Sequence, residues 1–203
     1  MLDGILLGLV RHGQTDWNRQ GRIQGQTDIP LNDQGILEAR KIAERISAER
    51  WDQLYCSDMK RAKDTALAIQ RLSPDLIVQA DSRLRERYYG LIEGTTITER
   101  TQRFGVDWKV RPHEIGMESE FSLRKRCASW FAEMIHRHTG ERVLVVTHGG
   151  WIRSALLYWF HQIPEGWLGN ASLTLIRFEK GNWICELYND AGHLMLRSKE
   201  VKF

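Results

Sequence analysis

Two His-Gly pairs in this chain each follow a short apolar run: Arg11-His12-Gly13 comes after Ile5 to Val10, and Thr147-His148-Gly149-Gly150 comes after Val143 to Val146. An apolar run of this length, bounded by Gly and polar residues, reads as a strand buried on both faces. In open α/β sheets ligands gather beyond the carboxyl ends of the strands. The spacing therefore puts Arg11, His12 and His148 at one rim, as a single site reached from two strands. A lone histidine there would fit a hydrogen-bonded structural residue; two of them, one beside an arginine, point to chemistry on an anion. Arg61 is a further candidate, because Met59 to Leu72 has the spacing of a helix and Arg61 falls in its first turn. Free N–H groups and the positive end of the helix dipole already favour phosphate at such a place. The alternative for Arg61 is a solvated surface position.

Those groups need a scaffold. Asn32 offers an N-cap for a helix to about Ala48, with Ala39, Ile42, Ala43 and Ile46 inward and Glu38, Arg40, Lys41, Glu44 and Arg45 on the opposite face. Gln53 to Ser57 and Leu76 to Ala80 read as short strands, and Ser73-Pro74 stops the helix between them. Ser119 caps a long helix to about His138, whose inner stripe is Leu123, Cys127, Trp130, Phe131 and Met134. His136 and His138 stand two apart on it, hence on different faces, which is wrong for a metal pair. A helix from Trp151 to Phe160 follows the second His-Gly pair, and Ser172 to Phe178 with Trp183 to Tyr188 read as a hairpin. Two stretches fit neither period. Leu84 to Gly94 is too charged for a core strand and too aromatic for a plain linker. Thr95 to Gly116, with Trp108, Arg111, Pro112 and His113, is the least periodic part and the natural candidate for a lid or specificity segment of about 95–117. The expectation is one domain over residues 1–203, a mostly parallel sheet covered by helices on both faces.

Composition narrows the partners. The 203 residues are 42% apolar and 27% charged, ordinary for a globular chain. A net charge of +3, with no basic tail or stripe, speaks against a nucleic-acid partner and suits a small anionic molecule. Three scattered cysteines, Cys56, Cys127 and Cys185, give no disulfide framework and no zinc spacing, so a reducing, cytoplasmic compartment is expected. The apolar N-terminal run is too short to span a membrane and lacks the features of a signal peptide. No Gly-rich loop ends in Lys-Ser or Lys-Thr, and no Cys is separated from a following Arg by five residues, as thiolate phosphatases require. Cys56 therefore reads as a small buried residue.

The assembled residues resemble the histidine phosphatase superfamily, which includes the cofactor-dependent phosphoglycerate mutases. The likeness lies in Leu-Val-Arg-His-Gly-Gln-Thr-Asp-Trp-Asn at 9–18, Ser-Asp-Met-Lys-Arg-Ala-Lys-Asp-Thr-Ala at 57–66, Leu-Arg-Glu-Arg-Tyr-Tyr-Gly at 84–90, Gly-Met-Glu-Ser at 116–119 and Thr-His-Gly-Gly at 147–150, in the family's order. The resemblance implies a three-layer α/β/α sandwich and a phosphohistidine mechanism needing neither metal nor cofactor. It implies His12 as nucleophile, Arg11, Arg61 and His148 as the lining of a phosphate pocket, and Glu86 as proton donor and acceptor. It also implies that Asn18, Gln24, Gly25 and the backbone of Gly149 help hold phosphoryl oxygens. The alternative for Glu86 is a salt bridge to Arg85 or Arg87.

These residue types suit phosphoryl transfer, which is mainly positioning and charge stabilisation. Two guanidinium forks and a second imidazole meet that need. In-line attack requires an unprotonated His12 nitrogen, with the other nitrogen fixed by a hydrogen bond and cationic neighbours lowering the pKa. Glu86 would protonate the leaving alkoxide and then take a proton from the hydrolytic water. The reading is a metal-independent hydrolase of small organic phosphomonoesters, with Arg87 and Tyr89 placed to hold a substrate carboxylate. A mutase, returning the phosphoryl group to another hydroxyl, is the alternative, and a non-catalytic phosphate-binding module is a third. Ile97 stands where the mutases usually carry Lys, and Gly150 where they carry Asn, which favours the hydrolase. One of Trp17, Trp108 and Trp151 is expected to touch substrate.

Overall fold

The computed structural model describes residues 4–108 and 111–195. Strand β1 (Gly4–Arg11) is buried at every position but its last, which is what a continuous apolar run implies when both faces of a sheet are covered. It lies between β4 (Arg142–Thr147), parallel to it, and β5 (Leu173–Glu179), antiparallel to it. With β2 (Gln53–Cys56), β3 (Val78–Ala80) and β6 (Asn182–Asp190) the order is β3-β2-β4-β1-β5-β6. The first four strands in that order are parallel, and β5 and β6 form an antiparallel hairpin closing through Lys180 and Gly181, both at positive φ.

Helices cover both faces. Helix α2 (Asp33–Ser47) and α3 (Lys60–Leu72) bring Ile42, Ala43, Ile46, Ala62, Ala66 and Ile69 against Val10, Leu54 and Val146. On the other face α5 (Glu120–Arg137) and α6 (Gly149–Phe160) set Trp130, Phe131 and Trp151 against Leu7, Leu9 and Val145. The fold is α/β, in three layers. Among the described residues no helix is long and apolar enough to cross a membrane.

Four local features depart from the sequence expectations. Asp16–Arg19 forms a one-turn helix, α1, with a capping box between Thr15 and Asn18. Ile97–Phe104, inside the stretch without apparent period, is helix α4, started by a capping box between Thr96 and Glu99; positions 109–110 of that stretch lie outside the described residues, as do 1–3 and 196–203 of the expected domain. Helix α6 begins at Gly149, two residues early. Glu38, expected on the solvent face of α2, is buried because its carboxylate accepts the Gln14 N–H (2.8 Å) in the loop that leaves β1.

Candidate active site

The register of β1 against β4 pairs Arg11 with Thr147, so the two His-Gly turns leave the sheet side by side. The His12 N–H donates to the Thr147 carbonyl at 3.0 Å, and the two imidazole rings stand 5.1 Å apart, edge to face. His12 Nδ1 lies 2.7 Å from the Gly13 carbonyl, which can only accept. Nδ1 therefore carries the hydrogen and Nε2 the lone pair. Both rings are buried. Burial first, then the Arg61 and Arg11 guanidinium groups, holds the His12 pKa well below the ordinary imidazole range. His148 is held low in the same way by burial, Arg61, His12 and Arg11.

Arg61 is fully buried rather than solvated. It donates to the carbonyls of Thr27 (3.0 Å) and Gly25 (2.7 Å), and burial pulls its pKa down to about 10. Arg11 donates to the Leu168 carbonyl, and burial lowers its pKa too. Among the described residues neither guanidinium is hydrogen-bonded to a carboxylate. His148 Nε2 meets the Ser57 hydroxyl at 2.9 Å. Arg11 Nε, Arg61 Nε and His148 Nδ1 remain buried without a hydrogen-bond partner among the described residues. Buried polar atoms are normally satisfied, and a set of converging cationic and imidazole groups in that condition suits a tetrahedral oxyanion. Helix α6 adds its N-terminus: His148 is its N-cap, and a Cβ on Gly149 would lie 3.4 Å from Arg11 Nε.

Glu86 reaches the same place from a separate segment. Its carboxylate accepts the backbone N–H of Gly150 (2.9 Å) and of Arg87 (2.8 Å), so it joins the first turn of α6. A Cβ on residue 150 would come within 2.4 Å of Glu86 Oε1, so a side chain there would displace the carboxylate from its present place. The alternative for Glu86, a salt bridge to Arg85 or Arg87, does not form among the described residues: Arg85 pairs with Asp58, and Arg87 with Glu120.

The remaining expected residues take varied places. Asn18 Oδ1 accepts the Thr15 N–H and the Asn170 amide, leaving its own amide nitrogen to donate. Gln24 is buried with Oε1 unpartnered among the described residues. Gly25, at φ 55°, offers the carbonyl that Arg61 grips. Arg87 is bound to the Glu118 carbonyl (2.8 Å) and stacked 6.0 Å from the Tyr89 ring, so any substrate carboxylate has to compete with Glu120 for it. Burial pushes the Tyr89 phenol up. Of the three tryptophans of which one is expected to touch substrate, Trp151 is wholly buried, with Nε1 on the Arg83 carbonyl at 2.8 Å. Trp108 is buried in a satellite cluster with Ile92 and Ile115.

Sequence reasoning missed the supports of these groups. Asn170 donates to the His12 carbonyl (3.1 Å), and Thr65 accepts the Gly13 N–H (3.2 Å). Glu93 accepts four hydrogen bonds, from Gln26 N, Thr27 N, Thr27 Oγ1 and Tyr89 N, and so fixes the loop whose carbonyls hold Arg61. Its one sequence signal is a charge inside the stretch too polar for a strand.

Comparison with known proteins supplies the family. The model of the histidine phosphatase superfamily (branch 1) matches residues 7–191. A metal-independent phosphoserine phosphatase of Arabidopsis thaliana is 38% identical over 92% of this chain and 82% of its own. A 2,3-bisphosphoglycerate-dependent phosphoglycerate mutase of Gloeobacter violaceus is 35% identical over 79% of this chain and 78% of its own. A solved mycobacterial glucosyl-3-phosphoglycerate phosphatase superimposes with a TM-score of 0.82 at 30% identity, covering 92% of this chain and 99% of that one.

Proposed function

Because the chain belongs to the histidine phosphatase superfamily, we propose that it is a metal-independent phosphomonoester hydrolase working through a phosphohistidine at His12. Nε2 of His12 attacks phosphorus in line, forming the N–P bond as the ester P–O bond breaks. Arg11, Arg61, His148 and the N-terminus of α6 stabilise the charge on the equatorial oxygens, with Asn18, Gln24 and Gly25 around them. Glu86 gives its proton to the departing alkoxide. Water then attacks phosphorus, its proton passes to Glu86, the N–P bond breaks, and inorganic phosphate leaves.

The observation that carries this reading is the bond from His12 Nδ1 to the Gly13 carbonyl in a buried, cationic setting, which keeps the imidazole neutral and its Nε2 nucleophilic. Substrates are small phosphorylated metabolites, with Arg87, Tyr89 and the segment about 95–117 bordering the leaving group. Phosphoserine and glucosyl-3-phosphoglycerate, for which two similar proteins are named, are both carboxylated monoesters. The reading includes a single domain, with no nucleic-acid or membrane partner, and a cytoplasmic setting in which Cys56, Cys127 and Cys185 stay reduced.

Two measurements test it. A labelled ester should leave one acid-labile, base-stable phosphoryl group on the wild-type chain and none on His12→Ala, and turnover should persist in excess chelator. Label on Cys56 or on a serine would overturn the mechanism. The mutase reading is favoured by the 35% identical relative, and a parallel assay for 2- to 3-phosphoglycerate conversion decides it: interconversion faster than phosphate release would replace the hydrolase.

A further inference from the structure

Beyond short 3-10 turns at Ser82–Leu84 and Gly90–Ile92, the segment that carries Glu86 has no regular structure among the described residues to hold it. Side chains hold it instead. The Leu84 carbonyl accepts Thr147 Oγ1 at 2.6 Å, and the Arg83 carbonyl accepts Trp151 Nε1. Most of the remaining acceptors go to one residue, Arg126 of α5. A guanidinium has five N–H donors, and Arg126 uses all of them. Nε and Nη2 donate to the two oxygens of Glu118 (2.9 and 3.0 Å). Nη1 donates to the carbonyls of Arg83 (2.8 Å) and Arg85 (2.5 Å), and Nη2 also to the carbonyl of Glu86 itself (3.0 Å).

Glu118 continues the grip beyond Glu86. Its carboxylate accepts the Tyr88 N–H (3.2 Å), its N–H donates to the Tyr88 carbonyl (2.8 Å), and its carbonyl takes Arg87 Nε. The pair is mostly shielded, with side-chain exposures of 18% and 12%. It therefore binds the chain on both sides of Glu86 while its own charges cancel. A lysine, with three donors on one atom, could not span the same acceptors.

We propose that Arg126, paired with Glu118, is the positioning residue for Glu86: it fixes the backbone at residue 86 so that the carboxyl lies against the first turn of α6, and it never touches substrate. This rests on reading Glu86 as the proton donor. A group misplaced by about 1 Å can cost about a hundredfold in rate, and the loss here should fall only on the two steps in which Glu86 moves a proton.

The test compares Glu86→Gln, Arg126→Gln and the double variant on glycerol phosphate, whose alkoxide needs a proton, and on 4-nitrophenyl phosphate, whose phenolate does not. Glu86→Gln should lower kcat/KM, which reports the steps up to departure of the leaving group and not the hydrolysis common to both esters, about a hundredfold or more on the first ester and less than about threefold on the second. Arg126→Gln should follow the same pattern, about ten- to a hundredfold on glycerol phosphate with KM little changed, and should add less than about threefold in the Glu86→Gln background. Equal losses on both esters from Arg126→Gln, or full multiplication of the two losses, would overturn the inference and leave Glu86 as the acid. Equal losses from Glu86→Gln itself would remove that reading and the inference with it. If Arg126→Gln does not fold, Glu118→Gln carries the same comparison, with the same selective loss expected.

Discussion

His12 and His148 are neutral imidazoles packed among cations, and this has a cost in acid. Burial, Arg61 and Arg11 hold both pKa values well below about 6.5, the value an unfolded chain would show. Below that pH the unfolded chain binds more protons than the folded one, so stability falls as pH falls, by up to about 1.4 kcal/mol per pH unit for each ring, until the folded pKa is reached. Above it the two rings contribute no slope. Urea unfolding at pH 7.5, 6.5 and 5.5 measures this, and His148→Asn should remove one ring's share; an unchanged slope would mean that His148 is not held neutral. The sequence made these residues legible because each closes an apolar run or opens a helix. Their supports were not legible, since a Ser57 or Glu93 that accepts a hydrogen bond is written like any other serine or glutamate. Of Trp17, Trp108 and Trp151, one of which is expected to touch substrate, Trp151 turns its indole from α6 into the core.

The loop that carries His12 is pressed directly onto α2. A Cβ on Gly13 would lie 2.4 Å from the Gly35 carbonyl oxygen, and one on Gly35 would lie 2.0 Å from that of Gln14. Both obstacles are backbone, so neither can swing aside. Gly35→Ala should therefore push the loop and the helix apart, costing about 1–3 kcal/mol in the denaturant midpoint, with a fall in kcat because His12 moves with the loop. Full activity at wild-type stability would show that the contact yields. Helices α2, α3 and α5 were readable from their apolar stripes. Helix α4 was not, because Ile97–Phe104 is apolar only at its two ends, and its capping box was the one signal available. Glu38 shows the reverse failure, a polar residue turned inward by a loop that a helical period cannot anticipate.

Across the molecule, the guanidinium groups of Arg11 and Arg61, whose hydrogen bonds among the described residues go to carbonyls, are a standing charge that an anion would relieve. Inorganic phosphate at a hundredfold excess over its Kd should add about 2.7 kcal/mol of stability, or about 5–11 °C in Tm for a chain of this size. Scanning calorimetry measures the shift, and Arg61→Met should lose most of it; an equal rise in that variant would place phosphate elsewhere. The layers and the mixed character of the fold could be read from strand and helix periods, but strand order could not, because periodicity says which face a strand buries and nothing about its neighbours. That order matters to the chain as it is made. Strand β1 emerges first, yet its partners are β4 and β5, and 130 residues lie between Arg11 and Arg142. At about 5–20 residues per second, a run of Ile, Leu and Val waits roughly 7 to 26 seconds on the ribosome, with both edges unpaired, before β4 is made. The strand that presents His12 is thus also the nascent chain's main aggregation hazard, and the stretch a holding chaperone would be expected to bind.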